Sequence, residues 1–500
     1  MIVEAAADLD RDAVLRVAAG EPVGLGRGLL ARVGARRSEA LAVLADGPDV
    51  YGVTTGMGAL SGTRLTAEEQ AGHSARLMSA RAVGGPPWLS REEARALVAV
   101  RLRTFLGGDA AVSAELCVWL ATLLERDLVP AVPRTGSGAA GEILPLAHAW
   151  AHLAGGGELL DPEGAAVPAP PVVGPLAPPR LGPKEGIALL AGVPVATALA
   201  VVRSAGLRRL AHQAAVVAAA EIALVAATRD PYAAGVARGD DELAAVLTTV
   251  RDLAGPEPAP RHLQAPVSFR VVGPVLAHLA RATSALQAAA DRGLAGVTDS
   301  PAFLDPEPGA AAAPGVEAGP RFVGTAGFHG LDLAAAFEGA RGALVHAASV
   351  GAARLHRLLD PGVSGLPAQL SADPGPQAGL TPVHKRVVAE VHAAAAATAA
   401  YAPTVETSQG QEDVQTFALE AAESLHAAER AFETALAAEV LAVHQALGLV
   451  AERRLPERLA PLWAEVAAVL PPGTEDRSWG PDLECLRRLI RSGWAAPSSP

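Results

Sequence analysis

The chain has 500 residues, of which 50% are hydrophobic and only 3% aromatic, and its formal net charge is −12. The negative charge and the lack of a concentrated run of Lys and Arg argue against a nucleic-acid-binding surface. With so few aromatic side chains, Ala, Val and Leu must form the core, and because Ala and Leu favour helices we expect a largely helical protein.

The cysteine and hydropathy patterns favour a cytoplasmic protein without a membrane span. Cys117 and Cys485 form no metal or redox spacing, which fits a reducing compartment. The N-terminus has no basic segment before an apolar one, so no signal peptide is predicted. The longest uncharged run, between Glu185 and Arg203, is near the lower limit of about 17 residues for a span and contains Pro194, so a buried helix is predicted.

The sequence of the N-terminal quarter predicts helices that are interrupted by one glycine-containing loop. Two short helices are expected in residues 1–47, with Ser38 able to cap a helix that runs to Leu44. Residues 50–58, Val-Tyr-Gly-Val-Thr-Thr-Gly-Met-Gly, mix β-branched residues with three glycines and predict a mobile loop. Helices are expected again over residues 66–126.

The most informative stretch is residues 135–148, Thr-Gly-Ser-Gly-Ala-Ala-Gly-Glu-Ile-Leu-Pro-Leu-Ala-His. Its glycines allow positive φ and close backbone approach. Glu142 is expected in the first turn of the following helix, where a carboxylate suits the positive end of the dipole. Judged only by these backbone and charge properties, the stretch fits an anion-binding site and a tight turn before a core helix equally well.

His148 and His152 are predicted to pack on a helix surface rather than to bind a metal, since the glutamate of an HExxH motif is missing between them.

The remaining chain alternates proline-rich loops with helices. Residues 161–183 contain eight prolines and cannot be helical. Residues 305–320 are of low complexity and predict a loose loop. Helices are expected over residues 193–253 with a turn near 230, and over 271–292, 331–359 and 414–449.

Several of these segments resemble the aromatic amino acid lyase family, the histidine and phenylalanine ammonia-lyases. The family's core motif reads Gly-Ala-Ser-Gly-Asp-Leu-Ala-Pro-Leu-Ala-His, and residues 138–148 match it as Gly-Ala-Ala-Gly-Glu-Ile-Leu-Pro-Leu-Ala-His. Residues 51–58 resemble Tyr-Gly-Val-Asn-Thr-Gly-Phe-Gly, residues 183–192 resemble Pro-Lys-Glu-Gly-Leu-Ala-Leu-Leu-Asn-Gly, and residues 264–270 resemble Gln-Asp-Ala-Tyr-Ser-Leu-Arg. Such segments follow one another in the family order from about residue 40 to about residue 450.

The resemblance implies one continuous all-α fold. Residues 1–205 would form an N-terminal part with the tyrosine loop and the glycine-rich motif, and residues 206–500 a long central helix bundle with C-terminal helices. It also implies a homotetramer in which each pocket is drawn from several subunits.

The resemblance further implies roles for individual side chains. Tyr51 occupies the position of the catalytic base, and Glu412 that of a carboxylate near the substrate amine. Arg270 is implied to clamp the substrate carboxylate, with Gln264 in the same segment and Phe328 flanking the site. On charge pattern alone, Glu412 could equally be an acid at a helix N-terminus.

The resemblance also shows what the chain lacks. In the family, Ala-Ser-Gly cyclises and dehydrates to a methylidene-imidazolone, but here the tripeptide is Ala139-Ala140-Gly141. Because the methyl group of Ala140 has no hydroxyl to lose, this self-made cofactor is not expected. Ala80, Ala191 and Val267 stand where the family carries His, Asn and Tyr.

Three hypotheses follow for the function. The first is a divergent lyase- or isomerase-type enzyme that uses Tyr51 and Glu412 on an amino-acid-like carboxylate substrate. The second is a catalytically inactive member that binds a ligand or assembles with an active paralogue. The third is a conventional ammonia-lyase, whose electrophile forms from Gly136-Ser137-Gly138 or whose Ala140 is an engineered inactivation.

Overall fold

The computed structural model describes residues 1–137, 140–169, 177–306, 319–400 and 405–496. These residues are mainly α-helical with a few short strands, so the all-α prediction is confirmed. The helices, in chain order, are α1 Arg11–Ala18, α2 Arg27–Asp46, α3 Ala67–Arg81, α4 Arg91–Leu106, α5 Ala114–Glu125, α6 Ile143–Trp150, α7 Glu185–Leu190, α8 Pro194–Leu224, α9 Asp241–Ala254, α10 Val267–Arg270, α11 Val272–Ala295, α12 Leu331–Leu358, α13 Pro361–Ser364, α14 Thr381–Ala395, α15 Ala418–Leu449, α16 Ala460–Val469 and α17 Trp479–Arg491.

Within the described ranges, the strands form three small sheets that connect helices rather than build a core. The strands are β1 Ile2–Val3, β2 Gly24–Leu25, β3 Val129–Pro130, β4 Glu158–Leu160, β5 Ala166–Pro168, β6 Ala302–Leu304 and β7 Arg321–Val323. Strands β1 and β2 pair in parallel, β3, β4 and β5 form an antiparallel sheet in that order, and β6 pairs antiparallel with β7.

The chain divides into two compact units. Unit 1 comprises Met1–Val202, Leu286–Phe337 and Ala399–Glu423, and unit 2 comprises Arg203–Ala285, Glu338–Thr398 and Ser424–Pro500. The assignment of motifs to residues 1–205 and 206–500 stays a prediction.

In unit 1, helices α1, α2 and α5 contact α4. Helix α4 begins at a capping box, in which Ser90 and Glu93 satisfy each other's backbone N–H groups, and it packs against α1 and α5. Helix α2 is continuous, and the Ser38 hydroxyl donates to the Gly34 carbonyl (3.0 Å) within it. The prediction that Ser38 begins a helix is therefore wrong, because the hydroxyl is satisfied inside the preceding turn.

Helix α3 of unit 1 packs against α6 and α7 at very short range. A Cβ atom added at Gly186 would lie 2.5 Å from the Ser74 Cα. The Ser74 hydroxyl donates to the Gly182 carbonyl (3.0 Å) and accepts from the Gly186 N–H (3.3 Å). Glycine at position 186 thus lets the two helices meet at backbone distance.

In unit 2, long alanine-rich helices enclose a buried charged trio. The Arg354 guanidinium donates to Glu221 (2.7 Å) and to Glu439 (2.6 Å), and all three side chains are buried. The Gln213 amide, also buried, donates to the Ile490 and Trp494 carbonyls and so fixes the end of α17.

The apolar stretch Glu185–Leu224 belongs to the protein interior. Its most apolar window has a mean hydropathy of 2.0, but 94% of that window is buried within the protein. Pro194 ends the loop after α7 and occupies the first position of α8, where a missing N–H costs nothing. The predicted buried helix therefore describes this stretch better than a membrane-spanning helix does.

Candidate active site

A cavity of about 240 Å³ lies in unit 1, and two helices and several loops form its wall. Its residues come from the tyrosine loop, the glycine-rich motif with the start of α6, α7, the segment between α11 and α12, and the loop before α15. They are Tyr51, Met57, Ala140, Ile143, Ile187, Leu190, Ala191, Gly192, Ser300, Phe328, Gln411 and Glu412. Five residues singled out by sequence, Tyr51, Ala140, Ala191, Phe328 and Glu412, thus meet at one cavity.

The glycine-rich motif reaches this cavity through Ala140 and Ile143, while Gly138 and Ala139 lie outside the described residues. The Ala140 N–H donates to the Glu412 carboxylate (3.2 Å). Gly141 has φ +82°, and a Cβ there would lie 3.3 Å from the Gly192 carbonyl oxygen. Glycine is therefore required for both its conformation and its close approach. A methylidene-imidazolone does not fit the residue present at position 140, because a methyl side chain supplies no leaving hydroxyl.

Acidic side chains at the start of α15 hold the beginning of the motif. The Glu420 carboxylate accepts from the Gly136 N–H (2.8 Å) and from the Ser137 hydroxyl (3.1 Å). Arg134 pairs with Glu423 (2.6 Å) and with Glu93 (2.8 Å). These contacts fix the entry to the loop before it reaches the cavity.

Glu142 does not interact with its own helix as predicted. It is the residue before α6, and its carboxylate accepts from the Val195 and Ala196 N–H groups, both at 2.7 Å. These N–H groups belong to the first turn of α8, so the Glu142 carboxylate caps α8 instead. Burial raises the pKa of Glu142 to about 8, against the opposing effects of the two N–H donors and of nearby Arg101.

Tyr51 presents its ring to the cavity from a loop that is closed on itself. Its phenolic oxygen accepts a hydrogen bond from the Gly58 N–H (2.8 Å). The hydroxyl hydrogen of Tyr51 takes no part in that bond. The side chain remains 36% exposed. Val50 and Val53 pack with Ile187 beneath the loop and so anchor it to α7.

Glu412 and Phe328 lie on tightly constrained backbone. The Glu412 carboxylate accepts from the Thr407 hydroxyl (3.0 Å), and the two residues also bridge through their backbones. Glu412 therefore belongs to a loop before α15 rather than to a helix N-terminus. Beside Phe328, a Cβ at Gly327 would lie 2.0 Å from the Val297 carbonyl oxygen, which leaves no room for a side chain there.

Buried charges behind the cavity hold its backbone. Arg101 is fully buried in α4 and donates to the Ala191 carbonyl (2.6 Å). Burial lowers the pKa of Arg101 to about 10. Lys184 and Asp299 form a buried ion pair (2.6 Å) next to Ser300. Sequence reasoning missed Arg101, because a single arginine among apolar residues carries no local signal.

Gln264 and Arg270 belong to unit 2 and are not among the residues that line the cavity. Gln264 is exposed, and Arg270 ends the short helix α10 with its Nε atom buried and without a partner among the described residues. The Tyr232 hydroxyl donates to the Phe269 carbonyl directly before Arg270, which fixes the backbone at that point.

The two helix histidines pack against tryptophans. The His148 ring lies 5.7 Å from the Trp88 ring, and His152 stacks on Trp119 at 5.1 Å. Burial lowers the pKa of His152 to about 4, so this ring is neutral near pH 7. In the part of the chain that the structure describes, no group of three or more His, Cys, Asp or Glu side chains is placed to hold a metal ion.

The sequence matches known proteins over almost its whole length. The family model for aromatic amino acid lyases matches residues 9–469. A histidine ammonia-lyase of Anaeromyxobacter dehalogenans is 31% identical, with 93% of each chain covered. A histidine ammonia-lyase of Deinococcus radiodurans is 29% identical, with 97% of this chain and 93% of the relative covered.

Solved structures share the fold. A tyrosine aminomutase from Streptomyces globisporus superposes with a TM-score of 0.87 at 24% identity, covering 99% of this chain and 98% of the other. The histidine ammonia-lyase of Trypanosoma cruzi gives a TM-score of 0.83 at 22% identity, covering 99% and 94%. Family model, relatives and fold agree, and the chain belongs to the aromatic amino acid lyase family.

Proposed function

We propose that this chain is a divergent family enzyme of lyase or isomerase type, which acts on an amino-acid-like carboxylate without a methylidene-imidazolone. The observation that carries the proposal is the meeting of Tyr51 and Glu412 at one cavity, with Glu412 held against the Ala140 backbone. The family membership and the names of the relatives, which act on histidine, support an amino-acid-like substrate.

The chemistry within reach of these groups is proton transfer. The Tyr51 oxygen takes a proton from a substrate carbon, and in an elimination the electron pair of the broken C–H bond forms a carbon–carbon double bond as the bond to a neighbouring leaving group breaks. The leaving group departs with a proton from Glu412. In an isomerisation of an unsaturated carboxylate, the same electron pair instead shifts the existing double bond, and the carbon at its far end is reprotonated. A leaving group better than ammonia is required in the first case, because no covalent electrophile activates the amine.

The proposed assembly is a cytoplasmic homotetramer in which Gln264 and Arg270 of another copy complete the pocket. Their segment is open to solvent in the single chain, with Leu263 93% exposed and Val267 58% exposed. Large apolar side chains at such exposure suit a surface that another protein chain covers.

The proposal is tested by proton exchange, which can be followed whatever the product is. Purified protein is incubated in D₂O with each of the common amino acids and with unsaturated carboxylates, and substrate signals are followed by NMR. Tyr51→Phe is expected to slow the exchange or turnover of an active compound by about 10²–10⁴-fold, the usual contribution of a general base. Met57→Leu, a neighbouring cavity residue without an ionisable group, is the control and should retain most activity. An unchanged turnover rate in Tyr51→Phe would contradict the proposal.

Intact-protein mass separates this proposal from a conventional ammonia-lyase. We expect the mass of the unmodified sequence. A protein lighter by two water molecules would instead indicate a cyclised tripeptide, for which Gly136-Ser137-Gly138 is the only X-Ser-Gly sequence in the motif.

A further inference from the structure

We propose that Ser408 is a positioning residue, which fixes Tyr51 and Glu412 relative to one another through a contact with Gly58. This inference rests on the proposed function, in which Tyr51 and Glu412 transfer protons, and it adds how the two groups are held. Ser408 is not among the residues that line the cavity. The sequence gives no sign of its role, because Gly58 belongs to a distant segment of the chain.

The loop that carries Tyr51 is closed by its own backbone. The Gly56 N–H donates to the Thr63 carbonyl (2.9 Å), and a single short turn, Gly58–Leu60, forms the tip of the loop. From this tip the Gly58 N–H donates to the Tyr51 phenolic oxygen (2.8 Å). The position of the Tyr51 oxygen therefore depends on the position of Gly58.

The loop that carries Glu412 is closed in the same way. The Thr407 N–H donates to the Glu412 carbonyl (2.9 Å), and the Glu412 N–H donates back to the Thr407 carbonyl (3.3 Å). The Thr407 hydroxyl also donates to the Glu412 carboxylate (3.0 Å). Between these two residues the chain makes one tight turn over Ser408–Gly410, so the Glu412 carboxylate and Ser408 belong to one small closed loop.

The tips of the two loops are in contact, and both loops belong to unit 1. Gly58 is buried and has φ +60°, and a Cβ atom built there would lie 3.2 Å from the Ser408 Oγ and 3.3 Å from the Ser408 Cβ. Because a neighbour at this distance leaves no free space beside Gly58, the Ser408 side chain limits how far Gly58 can move. Ser408 thus joins the Tyr51 oxygen, through Gly58, to the loop that holds Glu412.

Ser408 makes this contact from an unfavourable backbone conformation. Ser408 and Gln409 both have φ +54°, in the left-handed region that residues other than glycine seldom adopt. Such conformations persist where the surrounding structure holds them, and they are concentrated at functional sites. A glycine at position 408 would relax the turn, but it would leave Gly58 without a side chain against it. Gln409 is exposed and has the same strain, which makes it a matched control.

The experiment compares Ser408→Gly with Gln409→Gly in the full chain. Both changes relieve a left-handed residue, so neither variant should unfold at a lower temperature than the parent. Only Ser408→Gly removes the contact with Gly58. With a compound that is active in the proton-exchange assay, Ser408→Gly should lower kcat by about 10- to 100-fold, the cost of a displaced catalytic group, and change KM by less than about threefold. Gln409→Gly should keep kcat within about twofold of the parent value.

A second measurement reports on Tyr51 without any substrate. Tyr51, Tyr232 and Tyr401 are the three tyrosines of the chain, so protein labelled with 3-fluorotyrosine gives three fluorine NMR signals, and Tyr51→Phe identifies the signal of Tyr51. Ser408→Gly should shift or broaden that signal, because the ring is less firmly held, while the signal of Tyr232, buried in unit 2, stays in place. Ser408→Ala retains the Cβ atom and should preserve both the Tyr51 signal and kcat.

The route through Gly58 is tested by a double-mutant cycle. Gly58→Ala alone puts a methyl group against the Ser408 side chain and should displace the tip of the Tyr51 loop, whereas in the Ser408→Gly background that space is free. The effect of Gly58→Ala on kcat should therefore be smaller in the Ser408→Gly background. Equal effects in both backgrounds would show that the two residues act independently, and would overturn the inference.

Two further results would overturn it. If Ser408→Gly leaves the Tyr51 signal and kcat as in the parent, or if Gln409→Gly lowers kcat equally, Ser408 has no positioning role and the proposed function stands. If Ser408→Gly displaces the Tyr51 signal but Tyr51→Phe does not change turnover, the proposed function fails, and the inference fails with it although the contact is real.

Discussion

Arg101, behind the cavity of unit 1, and the buried trio of unit 2 are satisfied by different kinds of partner. In unit 2, Arg354 pairs with Glu221 and Glu439, so side chains on three helices satisfy one another. In unit 1, Arg101 donates to the Ala191 carbonyl, and its Nε and Nη1 atoms have no partner among the described residues. Glu142 likewise accepts from backbone N–H groups rather than from a side chain.

This difference corresponds to what the buried charges hold in place. A charge paired with another side chain holds helices together, because its partner lies on a neighbouring helix. A charge bonded to backbone holds a loop, since the peptide group it contacts has no partner in a helix or sheet. Arg101 and Glu142 bind the backbone at Ala191 and at the start of α8, where the cavity needs irregular segments in fixed positions. Arg101 and Glu142 therefore shape the site, whereas the trio of unit 2 stabilises the helices that it joins.

The largest effect on stability is expected from breaking the trio of unit 2. Arg354→Met leaves two buried glutamates without a counter-charge and should lower the free energy of unfolding by about 3–5 kcal/mol. Urea unfolding followed by circular dichroism measures this change. Arg357→Met, on the same helix, removes a side chain that is 42% exposed and pairs with the equally exposed Asp360, so it should stay within about 0.5 kcal/mol of the parent. Equal effects of the two changes would contradict the role given to the trio.

A smaller effect, with a defined pH dependence, is expected from His152 of unit 1. Burial lowers its pKa from 6.5 to about 4, so the folded state holds the ring neutral. The stability from this group is present above pH 6.5 and is lost as the pH falls through 4, by up to about 3 kcal/mol. Glu221 of unit 2 acts in the opposite sense, because burial and Glu439 raise its pKa, and its contribution is lost as the pH rises.

His152→Phe keeps the contact with Trp119 and removes the titrating group. Urea unfolding at a series of pH values should therefore show a shallower loss of stability between pH 6.5 and 4 for this variant. His392→Gln changes an exposed histidine of unit 2 and should leave the slope as in the parent. An unchanged slope in His152→Phe would show that other groups cause the acid sensitivity.

The smallest of the three effects compares a glycine in each unit. Gly186→Ala puts a Cβ 2.5 Å from the Ser74 Cα, so α3 and α7 must move apart at a cost of about 1–3 kcal/mol. Gly206→Ala lies within α8 in unit 2, where an added Cβ has no neighbour within 4 Å. It should stabilise the protein by about 0.5–1 kcal/mol, because alanine favours the helix. Thermal unfolding of both variants measures the contrast, and a shift of the same sign in both would refute it.

Much of the fold and part of the site could be predicted from the sequence. The alanine- and leucine-rich composition indicated helices, and observed α12 and α15 lie within about four residues of the predicted ends. Tyr51, Ala140, Phe328 and Glu412 were singled out by motifs, and the structure brings them to one cavity. Local chain preferences and contiguous motifs are sufficient for such predictions, because they depend on neighbours in the sequence.

The tertiary structure alone decided the contacts of isolated charges and polar groups. The sequence around Ser38 predicts a helix cap, yet Ser38 lies inside α2, and Glu142 is predicted as the first acid of α6, yet it caps α8. Arg101 contacts Ala191, which lies 90 residues away in the sequence. A charged side chain interacts with whatever group packing brings within a few ångströms, so its partner depends on how distant segments meet and not on the residues beside it.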